Sequence, residues 1–217
     1  MVSVSLFGSE SLHDAIVNSP GAFSKAVEGI RSLARVRGSR FFPRISLRTI
    51  ILPDNFDFLP EMPALAHELG ADELVLSHES TSKTAMDAKA ESFMQTSQSM
   101  PTPIDAQALR KSLEQTMSSS AVPVSINPRC SIEQTVDAYR GHFINGAFDC
   151  LFPWTKMIIT PVGDIGLCPH VWVGNLHQAG WREMWNGPRA LAFRRSMMEC
   201  SELPSFCAGC CSKISRQ

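Results

Sequence analysis

The sequence predicts an α/β protein in two parts, a parallel β/α portion followed by a smaller α+β portion that carries a β-hairpin. Two observations predict it. Between residues 2 and 127, short β-branched apolar runs alternate with longer segments whose apolar residues recur at helical spacing. From Cys150 onward the texture changes to short stretches punctuated by Pro, Gly, Trp and Cys. The expected division is 1–128 and 129–217, which places all seven cysteines in the second part.

Each element has its own signal. Val2, Val4 and Leu6 alternate with Ser3, Ser5 and Phe7 and stop at Gly8-Ser9, which predicts a strand. From Phe23, the residues Ala26, Val27, Ile30, Leu33 and Ala34 share one helical face, and Gly38 stands where a C-terminal glycine cap belongs. RISLRTIILP, residues 44–53, has the β-branched, apolar content of a buried strand. A helix follows on Phe58, Leu59, Met62, Leu65, Ala66 and Leu69 and ends at Gly70, and ADELVLSHE, residues 71–79, supplies a third strand. Strand, helix, strand, helix, strand implies right-handed crossovers and a parallel sheet.

Residues 80–102 are rich in Ser, Thr and Ala without periodicity, and are expected to be an irregular insertion or lid. A helix on Ile104, Ala108, Leu109, Leu113 and Met117 precedes a short strand at VPVSIN, residues 122–127. Ser131 and Gln134 fit a capping box that opens a short helix through Tyr139. Thr155–Thr160 and Asp164–Leu167 flank Pro161-Val162-Gly163 as a hairpin.

Composition narrows the function classes. The chain has 217 residues, 44% of them hydrophobic, enough to bury a real core. Its 20 basic and 21 acidic side chains give a formal net charge of -1, so no global field draws nucleic acid or an anionic membrane. No window approaches the roughly 18 uninterrupted apolar residues of a membrane span, and MVSVSLFGSE lacks the basic start and apolar core of a signal peptide. A cytoplasmic protein is expected. In a reducing compartment, an odd set of seven cysteines points to metal ligands or thiols rather than a disulfide framework.

Cys150 precedes the hairpin and Cys168 ends it, so antiparallel pairing folds the two back towards each other across the seventeen residues between them. Cys207 and Cys210 form a C-x-x-C turn whose thiolates reach one tetrahedral centre. Four thiolates can converge on one site, and either a zinc ion or a 4Fe-4S cluster takes four thiolates. Spacing alone leaves both open, although zinc ribbons more often carry a C-x-x-C pair on each of two hairpins.

The neighbours of these cysteines carry a family pattern. Cys150, Trp154, Gly163, Cys168, Val173-Gly174-Asn175-Leu176, Trp181, Glu183, Met184-Trp185-Asn186 and Cys207-x-x-Cys210 closely resemble the SPASM or twitch domain of radical S-adenosylmethionine enzymes. That pattern runs cysteine, hairpin glycine, cysteine, GNL segment, amphipathic helix with a terminal tryptophan, and C-x-x-C. The resemblance spans residues 150–211 and implies one auxiliary 4Fe-4S cluster on Cys150, Cys168, Cys207 and Cys210. Residues 3–38 are similar to the fourth strand and following helix of the partial (β/α) radical barrel, and RISLRTIILPDN and ELGADELVLSHE to its fifth and sixth strands. The expected fold is therefore the last strands of that barrel followed by a SPASM-like domain.

The C-x3-C-x2-C loop that binds S-adenosylmethionine in that family does not occur in this sequence. A half-barrel beginning at strand four exposes an edge and an apolar interior, so the chain is expected to be the later part of a longer enzyme or to dock on a chain supplying the rest. Completed in that way, the resemblance implies radical chemistry on a peptide or small substrate, with a ferredoxin or flavodoxin as reductant. The alternatives are a non-catalytic iron-sulfur module that relays electrons or binds a peptide, and a zinc-stabilised interaction domain.

The remaining residues have plainer expectations. Ser5 and Arg48 lie on strands that face the cofactor in the family and are the candidates for S-adenosylmethionine contacts. Cys130 reads as a plain thiol before a helix, and Cys200 and Cys211 fall off the four-cysteine pattern, with Cys211 able to replace Cys210. His170 reads as a loop histidine. Trp154, Trp181 and Trp185 are expected to line the cluster, and Arg189, Arg194 and Arg195 to form a solvated helix face.

Overall fold

The structure is a computed structural model that describes residues 1–79, 102–127, 130–142, 148–199 and 214–215. It divides into two units: residues 1–79 with 102–142, and the described residues from 148 onward.

In the first unit the four apolar runs are strands β1 (Val2–Ser5), β2 (Ile45–Ile50), β3 (Glu73–Ser77) and β4 (Val124–Asn127), all parallel in the order β1-β2-β3-β4. The register aligns Val4 with Leu47, Leu47 with Leu74 and Leu74 with Val124. One sheet face therefore collects Val4, Leu47, Leu74, Leu76 and Ile126. Against it pack helices α2 (Ala22–Arg37), α3 (Met62–Glu68), α4 (Ala106–Met117) and α5 (Ile132–Tyr139) through Val27, Ile30, Ala66, Leu109, Leu113 and Val136, and α1 (Glu10–Ile16) packs on α2. The same register places Ser3, Ser5, Ser46, Arg48, Ser77, Ser125 and Asn127 on the opposite face, with Ile50 and Val75 as its apolar members. Parallel sheets usually bury both faces under helices; here one face is largely polar.

Local chemistry explains the ends of these helices. Asp105 caps α4 by accepting from Ala108 N, and Ser131 and Gln134 form the expected capping box on α5. The first turn of α2 has no side-chain cap of its own. The Asp14 carboxylate, from α1, accepts instead from Gly21 N at 2.5 Å and Phe23 N at 2.8 Å, and those bonds hold its pKa below the ordinary carboxylate range. α1, at seven residues, is too short to display a helical period in the sequence.

Because α5 seals the first core with Val136 and Tyr139, this unit runs to His142, past the division expected at 128/129. Of the insertion expected at 80–102, residues 80–101 lie outside the described residues.

The second unit begins with β5 (Phe148–Asp149), α6 (Phe152–Thr155), β6 (Ile158–Ile159), β7 (Asp164–Cys168) and β8 (Val171–Asn175). It continues with α7 (Trp181–Trp185), α8 (Pro188–Glu199) and β9 (Ile214–Ser215). β6, β7 and β8 form one antiparallel sheet, and β5 pairs antiparallel with β9. The hairpin is present but shorter than expected on its first side: Thr155 closes a helical turn, with Thr155 N and Oγ1 both donating to Leu151 O, and only Ile158 and Ile159 pair with β7. A third strand, β8, extends the sheet through the segment read as a GNL motif. No helix among the described residues is long and apolar enough to cross a membrane.

Candidate metal centre

The hairpin turn is fixed by glycine and by one amide. Gly163 sits at φ +86°, where a Cβ would be strained. Its N–H donates to Thr160 O at 2.9 Å, and Thr160 N donates to Asp164 O at 3.0 Å. Asn175, at the end of β8, reaches back: Nδ2 donates to Val162 O at 3.0 Å and to the Asp164 carboxylate at 2.8 Å, while Oδ1 accepts from His177 N at 2.9 Å. Gly174 beside it lets α7 approach, since a Cβ there would lie 2.7 Å from the Met184 sulfur. The glycine and asparagine of the GNL segment thus have structural duties, one admitting a helix and the other pinning a turn.

This frame positions two of the expected ligands. Cys168 ends β7, buried in an apolar cluster with Leu167, Val171, Ala190 and Phe193, and Phe152, Val173, Trp185 and Met197 pack around it. Cys150 is half-buried between β5 and α6, and α6 packs on β7. Cys200, Cys207, Cys210 and Cys211 lie outside the described residues. Among the described residues no group of three or more His, Cys, Asp or Glu side chains is placed to hold a metal ion.

Arg194 departs from expectation. It lies only 8% exposed rather than on a solvated face, whereas Arg189 and Arg195 are exposed. Its Nε donates to Pro153 O at 2.8 Å and Nη1 to Trp185 O at 2.6 Å, with the guanidinium carbon 4.2 Å from the Trp185 ring centroid. Its Nη2 is buried with no hydrogen-bond partner among the described residues, and burial lowers its pKa. Trp172 Nε1 is orphaned in the same sense. A buried donor without an acceptor is costly, so two such donors in a unit with an apolar wall and two thiols suit an anionic, thiolate-ligated group. Burial also holds the imidazole of His170 below its ordinary range. Of the three expected tryptophans, Trp185 packs on the apolar cluster, while Trp154 and Trp181 are 38% and 46% exposed.

In the first unit, Ser5 and Arg48 are direct register partners at the carboxyl ends of β1 and β2, on the polar sheet face. Ser5 is exposed and Arg48 half-buried, and on the same face Ser46 Oγ is buried without a partner among the described residues.

Residues 150–211 match the family model of SPASM, an iron-sulfur cluster-binding domain. No curated protein matches the chain.

Proposed function

We propose that this chain carries one auxiliary 4Fe-4S cluster on Cys150, Cys168, Cys207 and Cys210, and serves as the auxiliary-cluster part of a radical S-adenosylmethionine enzyme acting on a peptide or small substrate. The observation that carries the reading is the β5–β9 pairing. Asp149 pairs with Ile214 in antiparallel sense, so the chain running forward into Cys150 and the chain running backward from Ile214 leave the pair in the same direction. Cys210 is four residues before Ile214 in sequence, a reach of at most about 14 Å for extended chain. The packing of α6 on β7 supports the approach of Cys150 and Cys168 from the other side.

When bound, such a cluster supplies one-electron chemistry. The protein's own contribution is a wall of Leu167, Val171, Phe193 and Trp185 that keeps water from Cys168. Arg194, held by Pro153 O and Trp185 O, adds a fixed positive charge bonded to the carbonyl three residues after Cys150 in sequence. Ser5 and Arg48 are assigned to S-adenosylmethionine on the strength of their shared place on the polar sheet face. The loop that cleaves this cofactor would come from residues other than these, and the partners proposed are a peptide, a ferredoxin or flavodoxin and that supplying segment, in the cytoplasm.

The test is iron, acid-labile sulfide and zinc analysis of chain purified without oxygen. About four irons and four sulfides per chain are expected, with loss of both in Cys150→Ser and Cys168→Ser. One zinc and no sulfide overturns the reading.

A further inference from the structure

The carboxyl ends of β3 and β4 bring a thiol and an imidazole together in the first unit, away from the hairpin cysteines. His78 follows β3, and Cys130 precedes α5. Cys130 Sγ lies 3.5 Å from His78 Nε2 and 3.2 Å from Thr135 Oγ1, and His78 Nε2 lies 3.4 Å from that same hydroxyl. We propose that Cys130 and His78 form a nucleophilic thiol site that exchanges with disulfides, taking up a small thiol as a mixed disulfide.

Proton accounting supports the pair. The Thr135 hydroxyl donates its one hydrogen to Ser131 O at 2.9 Å, so it can only accept from its two neighbours. The hydrogen they offer is either the Cys130 S–H or the His78 Nε2–H. Transfer from sulfur to nitrogen turns a neutral pair into thiolate and imidazolium, and Thr135 accepts a hydrogen bond in both states. A base within reach of the nucleophile, with a third group touching both, is the arrangement that activates a thiol. Cys130 also directly precedes Ser131, the cap of the eight-residue α5, whose capping box leaves the positive end of the helix beside the sulfur.

The described carboxylates of the neighbouring segments have bonding partners of their own. Glu79, next to His78, turns its carboxylate to Thr102, accepting from its N at 2.7 Å. Tyr139 donates to Ile51 O at 2.6 Å and accepts from Glu79 N at 3.0 Å, and burial pushes its phenol well above the ordinary range, so it stays neutral. On α5, Glu133 pairs with Arg110 of α4, and Asp137 with Arg140. Cys130 is half-buried against the core, which fixes its place while leaving a side open. Carboxyl ends of parallel strands are also where α/β sheets receive ligands.

The step balances without an outside oxidant beyond the disulfide itself. His78 Nε2 takes the thiol proton, the Cys130 sulfur attacks one sulfur of RSSR, the S–S bond breaks, and the leaving thiolate takes the proton from the imidazolium. The products are Cys130–S–SR and RSH.

The test treats the full chain, without oxygen, with iodoacetamide across pH 5 to 9, then with oxidised glutathione, reading Cys130 alone by peptide mass spectrometry. Cys130 alkylation should reach half its maximal rate at or below about pH 7, against about 8.5 for an ordinary thiol. A glutathione adduct should appear on Cys130. His78→Asn should slow alkylation at pH 6.5 by about tenfold or more and move the midpoint towards the ordinary value. A wild-type midpoint near the ordinary value, or no adduct on Cys130, overturns the proposal whatever the variant does. Because the readout is at Cys130, its failure leaves the metal content of the hairpin unit untouched.

Discussion

At the scale of single residues, buried polar groups decide the behaviour, and the linear pattern says least about them. His13 is 4% exposed, stacked on Phe7 at 5.5 Å and edge-on to Phe23 at 6.0 Å, and its Nδ1 accepts from Phe7 N at 3.3 Å. Burial lowers its pKa below 6.5, outweighing the pull of Asp14 in the other direction. The unfolded chain therefore takes up the proton first as pH falls. The neutral imidazole contributes stability that is complete above about pH 6.5 and is lost as pH drops through the lowered folded value, where a proton on Nδ1 would also break the bond from Phe7. Denaturant midpoints measured at pH 7.5 and 5.5 should fall more steeply for the wild type than for His13→Asn; equal slopes would remove His13 from the acid sensitivity. Arg194 teaches the same lesson differently. Its charge among Arg189 and Arg195 reads as a solvated face, and only the carbonyls of Pro153 and Trp185, 41 and 9 residues away, turn that position inward.

At the scale of elements, legibility followed the range of the interaction. The capping box on α5 was readable because both partners lie within four residues, and β1 to β4 were readable from their own β-branched content. The shortened first side of the hairpin was not, because Thr155 and Leu151 form a helical turn in competition with the strand. The Asn175 amide was visible as part of a pattern, but its partners Val162 and Asp164 meet it only once the β7–β8 register is set. Asn175→Ala removes three hydrogen bonds, one of them to a carboxylate, and should destabilise the second unit by about 2 kcal/mol. Asn175→Asp keeps the acceptor for His177 N but sets two carboxylates together, so it should be at least as damaging. Chemical denaturation followed by tryptophan emission measures both, since Trp154, Trp172, Trp181 and Trp185 all lie in this unit. An Asp variant as stable as wild type would mean the turn is held by backbone bonds alone.

At the scale of the whole molecule, the two units differ in how much apolar material their described residues bury. The first has a continuous core spread over four strands and the four helices α2 to α5. The apolar cluster around Cys168 in the second comprises Leu167, Cys168, Val171, Ala190 and Phe193, with four partly buried neighbours. A core of that size rarely carries a fold unaided, and small units of this kind draw stability from a disulfide or a metal. Metal binding then becomes folding free energy, because the ligands converge only in the folded state. Stripping iron from the anaerobic chain with a chelator should therefore raise amide hydrogen exchange in β7 and α8, which flank Cys168, and leave β2 and β3 as protected as before. Unchanged protection in β7 and α8 would show that the second unit stands without its metal. A parallel loss in β2 and β3 would show instead that the units unfold together and that the larger core depends on the smaller one.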